Sequence, residues 1–446
     1  MRFDMPRTGA RLTALLLVAT LGACNTDELL EVETPDQITP DKVNSPAGAL
    51  ALRAGAIRDF YSFFNSNVEN ALLVGGMLSD ELINARNGFD HLDQRKYDEN
   101  QSPNAFTNFS NARTNMIRAR EALIKFTADG ATRQSQLGGL HAMHGLLLTA
   151  AAELYCNGVP FSNLDENREF VFDPKLYTNT ELWTLALAQF DSALAILPAA
   201  DALRNLARIG KARALLDLGR PADAAAVVRA GGGGAGSAAV ATNYIFNVEH
   251  SATGLVNGAN AWIPASANMG VPPFREGANG LDYRADPRVG ARFFRNGQDG
   301  TTPVWVPLVA WVQTSASPVP VATGTEARLI EAEAQLAAGD AGWLATLNTL
   351  RSGSTFAAQL PALTDPGTAA GRQDLTFTER AMWLYLTGHR VGDLRRLIRQ
   401  YGRTQSQVFP NGAYFKGGTY GTDVNIPPPF GERNNPAFTG CIDRNA

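Results

Sequence analysis

Helical spacing of apolar residues dominates the chain from about residue 45 onward. "SPAGALALRAGAIRDFYSFF" begins with Ser45 placed to cap a helix and Pro46 at its first position, then repeats apolar residues at Leu52, Ile57, Phe60 and Phe64. The segments "SNARTNMIRAREALIKF", "LGGLHAMHGLLLTAAAELYCNG" and "NTELWTLALAQFDSALAILP" carry the same period. The expected fold is mainly α. A weak internal repeat sharpens it: "ARALLDLG" (212–219) and "AEAQLAAG" (332–339) share small-x-small-x-Leu-x-x-Gly, and each precedes a second apolar-periodic segment. Small residues let two helices approach and Gly ends the first, as in tetratricopeptide-like helix pairs. The copies lie about 120 residues apart, so they do not form one continuous solenoid.

Between them the pattern changes. From "AGGGGAGSAAV" to about residue 324, dense Gly, Pro and Asn forbid long helices and predict loops with short strands. Trp262, Phe274, Tyr283, Phe293, Phe294, Trp305 and Trp311 sit among these turns, and a similar stretch runs from Phe409 to Ala446. A helical scaffold is thus expected to display an aromatic-rich insertion, about 231–324, within one domain over 45–446.

The first residues carry a different signal. Arg2, Arg7 and Arg11 accompany "LTALLLVATL", an apolar run too short to span a bilayer, which reads as an export signal over residues 1–23. It ends in "LGAC", which resembles the lipobox of bacterial lipoproteins and implies lipidation of Cys24. Acyl chains would then anchor the protein without spanning the membrane. The polar, acidic residues 24–44 suit a tether. Asp27 and Glu28 loosely resemble the acidic export signals of surface lipoproteins.

Composition narrows the function classes. The 446 residues are 45% hydrophobic and 18% charged, enough for a large core, and the net charge of −4 offers no footprint for nucleic acid. Two cysteines remain beyond Cys24, and in an oxidising compartment Cys156 and Cys441 can pair or stay as buried thiols. The glycine run at 231–234 lacks the Lys-Ser or Lys-Thr that would cradle phosphate, and reads as a flexible loop. No H-E-x-x-H or G-x-S-x-G occurs, and His141 and His144 stand i,i+3 on an apolar helix without an acidic partner. Carboxylates such as Asp80, Glu81, Asp90 and Asp93 are available for a glycosidase pair but do not specify one. No catalytic residue, metal ligand or cofactor is expected.

The densest chemistry lies in "ERAMWLYLTGHRVGDLRR" (379–396). Thr376 and Glu379 fit a capping box, so a helix is expected to start there and run to Leu397 and Ile398, with Gly388 in its middle. On it His389 and Asp393 are i,i+4 neighbours, and Asp393 reaches Arg390 and Arg396 at i±3. Glu379, His389, Arg390, Asp393 and Arg396 are expected to form a structural ion network.

These residues resemble the "ER-x-x-E-L-x-F-E-G-H-R-W-x-D-L-R-R-W" helix of the SusD/RagB family. Glu379, Arg380, Gly388, His389, Arg390, Asp393, Leu394, Arg395 and Arg396 are in register. Thr387 departs from an acidic position and Val391 from an aromatic. Four more stretches agree in order: Tyr155, Gly158, Val159 and Pro160 with Y-G-x-V-P; "DPRV" (286–289) with D-x-R; "EARLIEAEAQLAAGDAGWLATLNTLR" with L-x-x-A-E-A and A-x-x-x-L-N-x-x-R; and "NIPPPFGERNNPAF" with I-P-x-P-x-x-E-x-x-x-N-P.

The resemblance implies an outer-membrane lipoprotein exposed at the cell surface. Such a protein binds a glycan or other oligomeric nutrient and acts as a lid on a SusC-like TonB-dependent transporter, without catalysis. Sugar recognition needs flat apolar faces rimmed by polar groups. Candidates are Asp80, Glu81, Arg86, Asn87, Phe89 and Tyr97 after an early helix, and Trp262, Tyr283, Trp305 and Trp311 in the insertion. Two other classes compete: a solute-binding lipoprotein of an ABC importer, whose fold would alternate strands and helices, and a glycoside hydrolase.

Overall fold

The computed structural model describes residues 44–446 apart from 68, 89, 98, 102–103, 165–169 and 274–280. The export signal, Cys24 and nearly all of the tether lie outside the described residues, as do Phe89 and Phe274.

Helices α1 (Pro46–Phe64), α2 (Ala71–Leu78), α3 (Ala105–Phe126) and α4 (Ala131–Leu154) come first. Ser45 caps α1, its hydroxyl accepting from Gly48 N at 3.0 Å, with Pro46 in the first turn. The antiparallel hairpin of β2 (Val159–Leu164) and β3 (Phe170–Tyr177) leads to α5 (Asn179–Ile196), which opens on a capping box of Thr178 and Glu181. The short strand β1 (Ile83–Asn84) lies between α2 and α3.

The two repeats form helix pairs, as their pattern predicts. α6 (Leu203–Asp217) turns into α7 (Pro221–Val228) through Gly219 at φ +71°, and α8 (Gly324–Ala337) turns into α9 (Gly342–Ser352) through Gly339 at φ +70°. Both glycines occupy the left-handed conformation that ends a helix without a Cβ clash. α4, α5, α6, α7 and α8 then pack in succession, so the pairs are neighbours in space although the insertion separates them in sequence.

Among the described residues the insertion holds short helical turns and short antiparallel strands: β4 (Ile245–Val248), β5 (Met269–Gly270), β6 (Ala291–Asn296), β7 (Pro303–Pro307) and β8 (Val319–Thr323). β4 pairs β8, β6 pairs β7, and β5 pairs β1 of the helical body. Thr323 at the end of β8 caps α8, so Gly324 already belongs to the scaffold. The glycine run is tied down rather than free: the Arg204 and Arg208 guanidiniums donate to the carbonyls of Gly233 at 2.6 Å and Ala238 at 2.7 Å.

The expected long helix from Thr376 is two helices. α10 (Ala369–Trp383) is capped by Thr368, α11 runs Arg390–Tyr401, and a corner joins them in which Leu386 has φ +52° and Gly388 φ +82°. Thr376 is interior to α10 and its hydroxyl donates to the Arg372 carbonyl. The corner is held from outside the segment: Leu386 N donates to the Glu81 carboxylate at 2.7 Å, and Tyr385 Oη to the Glu81 carbonyl at 3.0 Å. Gly388 marks a turn and not a close helix crossing. Cys156, just past α4, forms a disulfide with Cys441.

Candidate functional site

The charged segment faces inward. Glu379, His389, Arg390, Asp393 and Arg396 are all buried. Glu379 accepts from Arg288 at 2.8 and 3.1 Å, from Arg351 at 2.6 Å and from the Trp383 indole at 3.2 Å. Asp393 receives Arg380 at 2.8 and 2.9 Å and Arg396 at 2.8 Å. Burial alone would raise its pKa, yet these two guanidiniums hold it well below the usual carboxylate range. Arg390 does not pair with Asp393 as helical spacing suggested; it forks onto Asp80, both bonds 2.6 Å. His389 Nε2 lies 3.0 Å from Glu326. Every charge in this set is paired inside the scaffold.

Four candidate ligand residues belong to the same interior. Asp80 is 1% exposed and Glu81 2%, and Tyr283, 2% exposed, donates to Asp80 at 3.1 Å. Burial, against the pull of the Leu386 N–H and helped by neighbouring Asp80, pushes the Glu81 carboxyl up to about 8. Tyr97 is buried beside His91. Their positions after α2 and in the insertion are where the two layers join, so they brace the site and do not line it. Among the described residues no group of three His, Cys, Asp or Glu is placed to hold a metal. His141 bonds Gln189 at 2.8 Å and His144 meets Arg120 at 3.2 Å.

Two tryptophans remain partly open, and backbone bonds in and beside β5 hold the segments that carry them next to each other. Trp262 precedes β5, with its carbonyl accepting from Asn268 N at 2.9 Å, and Trp305 in β7 accepts from Val271 N, just past β5, at 2.9 Å. β5 itself pairs β1, which delivers Arg86 two residues later. The Arg86 guanidinium sits 5.4 Å from the Trp262 ring centroid and Arg284 5.1 Å from that of Trp305. Asp282 orients Arg284 through bonds of 3.1 and 3.2 Å. The Trp262 indole N–H donates to the Asn67 carbonyl at 3.1 Å; that of Trp305 has no hydrogen-bond partner among the described residues. Phe293, 52% exposed, stands edge-on to Trp305 at 5.8 Å.

Asn87 is exposed beside this face. Trp311 lies apart, lining a separate cavity of about 180 Å³ with Tyr244, Trp383 and Thr387. Arg284, Arg292 and Arg295 were not singled out by the sequence. The signal available was the alternation of arginine and phenylalanine in "RADPRVGARFFRN". The face can offer flat rings to C–H surfaces and guanidinium donors to oxygen acceptors.

The fold is similar to that of SusD-like proteins of known structure. The chain superposes on a SusD superfamily protein from Parabacteroides distasonis with TM-score 0.65 at 14% identity, covering 91% of this chain and 100% of that one. A laminarin-binding SusD-like protein gives 0.62 at 15%, covering 89% and 99%. Surface glycan-binding protein A from Bacteroides uniformis gives 0.60 at 14%, covering 88% and 98%. No family model and no curated protein matches the sequence.

Proposed function

We propose that the protein is a non-catalytic surface lipoprotein of the SusD type. It captures a glycan on the Trp262–Trp305 face and passes it to a SusC-like TonB-dependent outer-membrane transporter, over which it sits as a lid. In this reading residues 1–23 direct export, Cys24 carries the lipid, and residues 24–44 tether the body to the outer membrane. The observation that carries it is the placement of an arginine guanidinium over each of two partly open indoles, Arg86 on Trp262 and Arg284 on Trp305. Pyranose rings bind through apolar faces to such indoles, while guanidinium N–H groups bond their hydroxyls.

The SusD-like neighbours include proteins named for laminarin and surface-glycan binding, which supports a glycan as the cargo class. An ABC-type solute-binding protein would alternate strands with helices around a parallel sheet, and the described sheets are two-stranded and antiparallel. A hydrolase reading loses support because Asp80 and Glu81 are consumed inside the scaffold.

A glycan array with the soluble form beginning after Cys24 tests the reading. At least one polymer should bind, and Trp262→Ala with Trp305→Ala should weaken it at least about tenfold, a loss of about 1.4 kcal/mol or more. An array blank for every glycan, or binding indifferent to both substitutions, refutes it.

A further inference from the structure

A second cavity, sharing no residue with the tryptophan face, opens where α3, the β2–β3 hairpin and the segment 431–435 meet. Its volume is about 450 Å³, within the range of about 300 to 1,000 Å³ typical of small-ligand sites. One wall is a stripe on α3, Thr107, Ser110, Asn111 and Thr114, spaced i, i+3, i+4 and i+7. The opposite face of that helix buries Phe106, Phe109 and Met116. A hydroxyl-and-amide stripe at this period directs its polar groups to a single surface. The side chains of Thr107, Ser110 and Asn111 make no hydrogen bond to another described residue.

The other two walls are fixed in place. Arg113 on α3, buried, donates to Asn163 Oδ1 at 2.8 Å and to the Ser162 carbonyl, and packs 4.3 Å from the Phe161 ring centroid, clamping the hairpin to the helix. The hairpin thereby presents Asn163 and Phe172, the latter 39% exposed, to the cavity. Asn435, buried, ties the third wall to the Asp173 carbonyl at 3.1 Å, and the Cys156–Cys441 disulfide holds the chain just beyond. Glu432 lines this wall with no ion pair to a described residue, and burial raises its pKa.

The chemistry of the walls selects the ligand. Among the described residues that line the cavity Glu432 is the one formally charged group, and a phosphate or carboxylate meets its repulsion. A neutral polyol finds what it needs: amides and hydroxyls that both donate and accept, a carboxylate that accepts from adjacent hydroxyls, and one aromatic ring for a C–H face. We propose that this cleft is a second saccharide site, taking one or two residues of a neutral sugar and operating independently of the tryptophan face.

The test uses the full chain in detergent with maltose and laminaribiose as probes, followed by saturation-transfer NMR and calorimetry. The Trp262→Ala, Trp305→Ala variant should still bind at least one probe saturably in the millimolar range. Adding Phe172→Ala and Glu432→Gln should weaken that binding at least about tenfold. Asn111→Leu, which fills the cleft from the exposed helix side, should do the same with an unchanged melting temperature. Absence of saturable binding by the tryptophan variant overturns the second site, as does binding that Phe172→Ala, Glu432→Gln and Asn111→Leu leave intact. Loss of all binding with the tryptophans removed would leave the tryptophan-face reading standing and sink only this one. Binding untouched by the tryptophan substitutions but lost with the cleft substitutions would do the reverse.

Discussion

Glu81, sealed beneath the corner at Leu386, is held more firmly with its proton than without it. Its carboxyl titrates at about 8 in the fold against an ordinary value of 4.5. Between those values the folded chain keeps a proton that the unfolded chain has released, so stability falls as pH rises, by about 1.4 kcal/mol per pH unit for one proton. The contribution is complete below 4.5 and gone above about 8. Asp93, pushed up to about 7 chiefly by burial, acts in the same sense. Asp393, held low, acts in the opposite sense and withdraws its support in acid. Glu81→Gln preserves an acceptor for Leu386 N, so its melting temperature should decline less than that of the native chain between pH 5 and 9. Parallel melting profiles would sink this account. In the sequence Asp80 and Glu81 looked like ligand groups because they follow a helix and precede turns. What removes them from the surface is Arg390 and Leu386, some 300 residues away. Local pattern contains no trace of a partner at that distance.

Elements were legible where their signals were local. The cap at Ser45 and the glycines ending α6 and α8 act within four residues, and each helix pair formed where its spacing placed it. The break between α10 and α11 was not legible as such. A hydrophobic period continues across it, and the backbone and side chain of the distant Glu81 help hold the bend there. The Trp262–Trp305 face was half legible: its aromatics and Arg86 were named, but Arg284 beside Trp305 was not, since stacking depends on how β5 joins β1 and β7. α11 itself is a brace. Arg395 donates to the carbonyls of Ala152, Glu153 and Tyr155 at 2.9, 2.7 and 3.2 Å, closing the end of α4. Arg396 reaches Glu333 on α8 at 3.0 Å and Asp217 on α6 at 3.3 Å. Asp393→Ala would strand Arg380 and Arg396 as buried cations short of a partner, at a cost of about 3 to 5 kcal/mol. Denaturant titration reads this as a lowered midpoint. A variant that unfolds at the native midpoint yet no longer binds glycan would mean that Asp393 serves the ligand and not the brace.

At the scale of the molecule, the Cys156–Cys441 bond spans 285 residues and fastens the segment that walls the second cleft. Cys441→Ser should lower stability by about 2 to 4 kcal/mol. Faster amide exchange over 431–443 than over α4 should accompany it, since Ile442 N bonds the Asn157 carbonyl at 2.8 Å beside the bridge. Unchanged exchange in that segment would show that packing alone holds it. The brace has a consequence in time as well as in space. The arginines of α11 follow their partners by 179 residues at Asp217, 243 at Ala152 and 310 at Asp80. A chain emerging from its N-terminus can wind its helix hairpins early, because those contacts are local. It must nevertheless carry Asp80, Asp217 and Glu333 without their counterions until α11 arrives. Completion is therefore a single late docking event, and the species waiting for it is the one most open to proteases and to aggregation.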